Sequence, residues 1–177
     1  MLRVSPSVVN SCTIEPAQRP ARQEARGHAE EDGALATREE IADQMAGMTL
    51  FADLARAQMI GAASRFEEAF FPKDARILRQ GLTGSGFYVI LDGEADVVAD
   101  GQKRATLARG DFFGEVSVLL GEPPIADVVA TRPLRCIVLG GPGVESFLVD
   151  HPRVMYRMLQ AQARRLRGAN QRAAAAQ

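Results

Sequence analysis

The chain has 177 residues, 46% of them hydrophobic, with 21 Lys plus Arg against 22 Asp plus Glu and a formal charge of −1. That balance fits a soluble globular protein with one core of about 100–150 residues plus tails, and it excludes a strongly basic nucleic-acid binder. No apolar run approaches the roughly 18 residues of a membrane helix, Met1–Thr13 lacks the apolar stretch of a secretory leader, and Cys12 and Cys136 make neither a disulfide framework nor a metal cluster, so the expected setting is the cytoplasm, away from membranes.

Residues 1–36 read as a disordered tail. Pro6, Pro16 and Pro20 interrupt any element there, and Arg19–Asp32 is mostly charged residues, Ala and Gln. Such a stretch cannot bury enough apolar surface to offset its ordering entropy. Thr37-Arg38-Glu39-Glu40 then has capping-box spacing, and Ile41, Met45 and Met48 follow at helical intervals. A second helix is expected from about Leu50, with Phe51, Leu54, Met59 and Ile60 as its apolar positions.

From Phe66 the period changes. Phe66–Phe71, Arg76–Gln80, Phe87–Leu91, Ala95–Ala99, Arg104–Leu107 and Asp127–Leu139 read as strands. Between them stand Gly81, Gly84 and Gly86, then Asp92-Gly93, Asp100-Gly101 and Gly110-Asp111, turn signals because glycine accepts positive φ. Regularly spaced short strands predict an antiparallel sandwich or barrel. Gly140-Gly141-Pro142-Gly143 reads as a loop, Val144–Val149 as a short helix, and Val154, Met155, Met158, Leu159 and Leu166 as the apolar positions of a long last helix. That helix carries Arg153, Arg157, Arg164, Arg165, Arg167 and Arg172 and no acid. One reading of these arginines is a basic nucleic-acid stripe; the favoured reading is a solvated face on a helix whose apolar side packs on the barrel or on a twin helix. The expected boundaries are a tail over 1–36, a β domain with flanking helices over 37–168, and a disordered tail over 169–177.

Chemistry concentrates in Asp111-Phe112-Phe113-Gly114-Glu115-Val116-Ser117-Val118-Leu119-Leu120-Gly121-Glu122-Pro123-Pro124-Ile125-Ala126-Asp127-Val128. A loop ends at Gly114, one turn of helix follows, and Pro123-Pro124 stops it. Free amides at a short helix N-terminus suit a phosphate, and Glu115 offers a carboxylate to sugar hydroxyls. Glu115 also has a plainer reading, as a cap for those amides.

With these residues the chain resembles the cyclic-nucleotide-binding domain of the catabolite-activator and protein-kinase-A regulatory type, over about Leu50 to Arg167. Leu50-Phe51-Ala52-Asp53-Leu54, Gln80-Gly81, Phe87-Tyr88-Val89-Ile90 with Asp92-Gly93-Glu94, Gly110-Asp111-Phe112-Phe113-Gly114-Glu115, and His151-Pro152 with Ala163-Arg164-Arg165-Leu166-Arg167 carry the likeness. The resemblance implies a mainly β fold, an eight-stranded antiparallel jelly-roll barrel with N-terminal helices and a long C-terminal helix that often dimerises. It also implies a phosphate-binding cassette at Phe113–Val128, whose candidate contacts here are Gly114, Glu115, Val116, Ser117, Pro124, Ile125, Ala126 and Asp127.

Two positions depart from that pattern. Where the family has the Arg that grips the cyclic phosphate stands Pro124, with no cation and no N–H, and where it has Ser or Thr stands Asp127, an acceptor only when ionised. Losing an Arg fork and adding a carboxylate costs about 4–6 kcal/mol, or three to four decades of affinity. The expected function is therefore a non-catalytic regulatory or sensory module with weakened or lost affinity for cAMP or cGMP and no other cofactor. Its expected partners are a small-molecule or nucleotide ligand, a second copy through the last helix, and an unspecified protein. Alternatives are a ligand-free dimerisation scaffold, a functional sensor rescued by Arg79, Arg109 or Arg132, and a cupin-like metalloenzyme. The last needs several converging metal ligands, whereas the histidines are His28 and His151 alone. A transcription factor of this type continues into a helix-turn-helix. Ten residues follow Arg167, too few for three helices of about 11 residues each, so no autonomous DNA binding is expected.

Overall fold

A computed structural model describes residues 36–82, 84 and 86–175 of the chain. Apart from Ala36, the expected N-terminal tail lies outside the described residues, as does Cys12.

The capping box at Thr37 forms as its spacing predicts. Glu40 N donates to Thr37 Oγ1 at 3.2 Å, and Thr37 N donates to Glu40 Oε2 at 2.7 Å. It opens α1 (Arg38–Ala46), which a 3₁₀ turn (Thr49–Phe51) and α2 (Arg56–Ala63) follow. The helix expected from Leu50 is thus divided. Its apolar residues still turn inward, because Phe51 anchors the 3₁₀ turn and Met59 anchors α2.

Eight strands come next: β1 (Glu67–Phe71), β2 (Arg76–Leu78), β3 (Gly86–Asp92), β4 (Ala95–Ala99), β5 (Gln102–Leu107), β6 (Phe112–Phe113), β7 (Asp127–Ala130) and β8 (Leu134–Gly140). They form two antiparallel four-stranded sheets, ordered β1-β8-β3-β6 and β2-β7-β4-β5. The run expected as one strand over Asp127–Leu139 is two strands in different sheets. Pro133 has no N–H to donate to a ladder, and the amides of Thr131 and Arg132 both turn to the Glu94 carbonyl, at 2.9 and 3.4 Å. Gly93 makes this crossing possible. It sits at φ +90°, and a Cβ there would stand 2.2 Å from the Pro133 carbonyl oxygen.

Side-chain alternation explains why Phe87–Leu91 is apolar without a break. Phe87, Val89 and Leu91 face a helical layer, where they join Met45, Phe51, Phe66, Phe147, Val154 and Met158. Tyr88 and Ile90 face the opposite way, into a cluster of Leu78, Phe113, Val128, Leu134 and Cys136 contributed by both sheets. A strand covered on both faces loses its period-two polarity. Edge strand β5, exposed from Gln102 to Thr106, keeps its polar residues.

α3 (Glu115–Leu120) follows β6, and α4 (Gly141–Asp150) and α5 (Pro152–Ala175) follow β8. Two expectations are corrected here. Gly140–Gly143 is not a loop, since α4 begins at Gly141. Pro142 lies in its first turn, where an N–H would have no partner in any case. Nor do residues 169–175 form a disordered tail. α5 continues through Gly168 to Ala175, because its Ala-rich end has the highest helix propensity and a single Gly costs only about 1 kcal/mol.

Candidate functional site

The candidate cassette residues run from the end of β6 through α3 to the start of β7. Gly114 precedes α3 in the left-handed conformation, φ +83°, and a Cβ there would lie 2.1 Å from the Gly86 carbonyl oxygen. Any side chain would therefore push β3 and the cassette apart. α3 ends at Gly121, also left-handed, and not at the prolines: Gly121 N donates to the Ser117 carbonyl. Glu122 N donates to the same oxygen at 3.2 Å.

Glu115 is 3% exposed, and α5 claims its carboxylate. Arg165 Nη1 donates to Glu115 Oε1 at 2.9 Å, Gln162 Nε2 donates to the same oxygen, and Arg165 Nη2 donates to the Phe112 carbonyl at 2.7 Å. The same guanidinium lies 4.4 Å above the Phe112 ring. A buried carboxylate is costly without such partners. Glu115 thus joins cassette and last helix. Ser117 is buried at 6% exposure, and its hydroxyl has no partner among the described residues. Val116 and Ala126 are half-buried, whereas Ile125 is exposed.

The two departing positions are built into the scaffold. Pro124 is buried, its carbonyl accepts Gly81 N at 2.8 Å, and its Cγ lies 3.8 Å from where a Cβ on Gly84 would stand. Asp127 accepts Gln80 N on Oδ1 at 2.8 Å and pairs through Oδ2 with Arg76 Nη1 at 3.5 Å. The Gln80 side chain reaches on to Asp100, donating from Nε2 at 2.9 Å and accepting Asp100 N at 3.1 Å. Proline and acid therefore tie the segment after β2 to β7, and Asp127 does not stand as an open carboxylate.

Three arginines were candidates to replace the missing cation. Arg109 donates instead to the carbonyls of Leu91 and Gln44. Arg132 pairs with Glu94 at 3.6 Å. Arg79 is exposed beside Gln80 and has no partner among the described residues. Among the described residues, Arg76 reaches the cassette at Asp127, and Arg165 with Gln162 reaches it at Glu115. All three were missed, since only the β2–β7 register and the docking of α5 bring them there.

Tyr88 stacks on Phe113 with centroids 4.8 Å apart and planes 1° from parallel. Burial, with Cys136 nearby, raises the Tyr88 pKa. Burial pushes the Cys136 thiol up to about 12, so it is a small apolar filler and not a nucleophile. Among the described residues no group of three His, Cys, Asp or Glu side chains is placed to hold a metal ion. No described helix is long and apolar enough to cross a membrane.

Residues 68–151 match the cyclic nucleotide-binding domain family. The match covers 84 of the 177 residues, the strand-rich middle of the chain. It is similar to the catabolite activator protein of Thermus thermophilus, with 29% identity over 70% of this chain and 61% of that one, at a TM-score of 0.64. A cyclic nucleotide-binding domain from Methylobacillus flagellatus is 28% identical over 76% of this chain and 81% of its own, at 0.66. The regulatory subunit of a cAMP-independent protein kinase A from Trypanosoma brucei is 26% identical over 70% and 47%, at 0.61. The chain thus spans less than two thirds of the activator protein and about half of the kinase subunit. The candidate cassette, Phe113 to Val128, lies within the matched residues.

Proposed function

We propose that this cyclic nucleotide-binding domain is a non-catalytic, cytoplasmic regulatory module whose cassette has weak or no affinity for cAMP and cGMP. The observation that carries the reading is the buried proline at position 124, in the place of the family's phosphate-gripping Arg. An Arg fork on phosphate makes two charge-assisted hydrogen bonds of about 1.5–3 kcal/mol each. Its loss alone removes about two decades of affinity or more. The repulsion expected from Asp127 is smaller than its bare charge implies, because Arg76 offsets it. Glu115, the candidate partner for sugar hydroxyls, is already engaged by Arg165 and Gln162. Similarity to a regulatory subunit described as cAMP-independent is in keeping with this loss.

What remains is a signalling scaffold that couples cassette to helix, and α5 gives it a surface for a second copy. Val154 and Met158 dock on the domain. Leu159 and Leu166, at 64% and 63% exposure, face away with Met155 and Tyr156. Tyr156, Leu159, Ala163, Leu166, Asn170 and Ala173 recur at alternating steps of three and four, the seam spacing of a coiled coil. We assign this face to a homodimer.

Titration calorimetry with cAMP and with cGMP at neutral pH tests the ligand reading. The expected result is no saturable binding tighter than roughly 100 µM, and a dissociation constant below about 10 µM for either nucleotide overturns it.

A further inference from the structure

A second polar cleft lies outside the cassette, between the 3₁₀ turn, the loop before β6 and α5. It has a volume of about 480 Å³, and Thr49, Arg109, Asp111, Arg157, Arg164 and Arg165 contribute its polar side chains. Two of these guanidiniums are neutralised by carboxylates. Arg157 is held by both oxygens of Asp53, at 2.8 and 2.9 Å, and Arg165 is held by Glu115. The other two are not. Arg109 donates only to backbone carbonyls, and Arg164 is exposed without a partner among the described residues. Asp111 turns one oxygen away, accepting Ala108 N on Oδ2 at 2.9 Å.

From this we infer that the cleft is an anion site, distinct from the cassette, for a small phosphorylated molecule gripped by Arg109 and Arg164. A guanidinium has five donors in a fork that matches phosphate oxygens in pairs. Arg109 has spent donors on two carbonyls and keeps the rest, and Arg164 keeps all of its own. Both carbonyl contacts hold Arg109 in place, so its free donors are oriented before any ligand arrives. Thr49 adds a hydroxyl at the rim. The volume suits a molecule of mononucleotide size or smaller. Arg165 touches both this cleft and Glu115, so an anion that draws Arg165 toward itself takes a partner from the cassette carboxylate. The two sites therefore share one arginine. This inference does not rest on the fate of cAMP in the cassette.

Calorimetric titration of the full chain with pyrophosphate tests it, with ADP as a second arm. Saturable 1:1 binding of pyrophosphate below about 1 mM, weakening with added salt, is the expected result. Arg164→Gln removes no contact within the fold and should weaken it about tenfold, whereas Arg104→Gln on β5 should leave it unchanged. ADP binding no more weakly than pyrophosphate identifies a nucleotide-type ligand. ADP that fails while pyrophosphate binds restricts the site to a compact phosphorylated molecule. Either outcome upholds the anion site. Absence of saturable binding overturns the inference, as does equal weakening by Arg104→Gln. Loss through Arg76→Gln in place of Arg164→Gln also overturns it, because it puts the anion in the cassette.

Discussion

In the proposed reading, a rigid ring and a carbonyl at position 124 stand in place of a mobile cation, and a carboxylate at 127 in place of a hydroxyl. Each change removes something a phosphate needs, and each supplies something the scaffold uses. The Pro124 carbonyl holds Gly81 N, and the Asp127 carboxylate holds Gln80 N. Asp127→Ala should therefore loosen the segment after β2. The expected loss is about 1–3 kcal/mol of unfolding free energy, read by denaturant titration, because it leaves Arg76 and the Gln80 amide without their acceptor. Gly114→Ala is the harsher change, since the new methyl meets the Gly86 carbonyl at 2.1 Å. Its cost should exceed 2 kcal/mol. Cys136 gives a residue-scale test in pH. A thiol raised to about 12 is protonated throughout the neutral range, so in a Cys12→Ser chain Cys136 should resist alkylation at pH 8. Labelling at the rate of an exposed cysteine would contradict its buried place.

Among the elements, α5 carries two opposed duties. Its inner face buries Val154 and Met158, and Met158→Ala should cost about 2–4 kcal/mol of stability. Its outer face is exposed, so Leu159→Glu with Leu166→Glu should leave the monomer folded and abolish self-association, measured by light scattering. A wild-type chain that is monomeric at high micromolar concentration would sink the dimer. α5 is also pinned by Arg157 on Asp53, whose hydrogen bonds hold the Asp53 carboxyl below its ordinary value of 3.8. A lowered acid pKa means that this pin is fully present above the ordinary value and is lost as pH falls through the folded-state value. Asp53 is exposed and Arg157 only half-buried, so water screens the pair and its contribution is small. The strands were legible in the sequence because turn glycines punctuate them, and α1 because its cap is local. The division of Asp127–Leu139 was not, since it depends on which sheet each half joins. The extent of α5 was misread because an Ala-rich end resembles a low-complexity tail until a long helix precedes it.

For the molecule as a whole, the fold was readable from a constellation of motifs, whereas the packing around Pro124 and Asp127 was not. Arg76 and Arg165 meet the cassette only through tertiary structure, 51 and 50 residues from Asp127 and Glu115.

 Only the fold shows that Pro124 and Asp127 act as braces. The proposed design keeps the nucleotide-sensor fold and the link from Glu115 to the last helix, and gives up the anion grip.

The most direct measurement is a paired calorimetric titration of cAMP into the wild-type chain and into the folded Pro124→Arg/Asp127→Thr variant. Wild type should show no binding tighter than roughly 100 µM, and the variant should gain about a hundredfold or more as the fork and hydroxyl return. Micromolar binding by wild type, or a folded variant no better than wild type, would contradict the assignment of the lost affinity to these two residues.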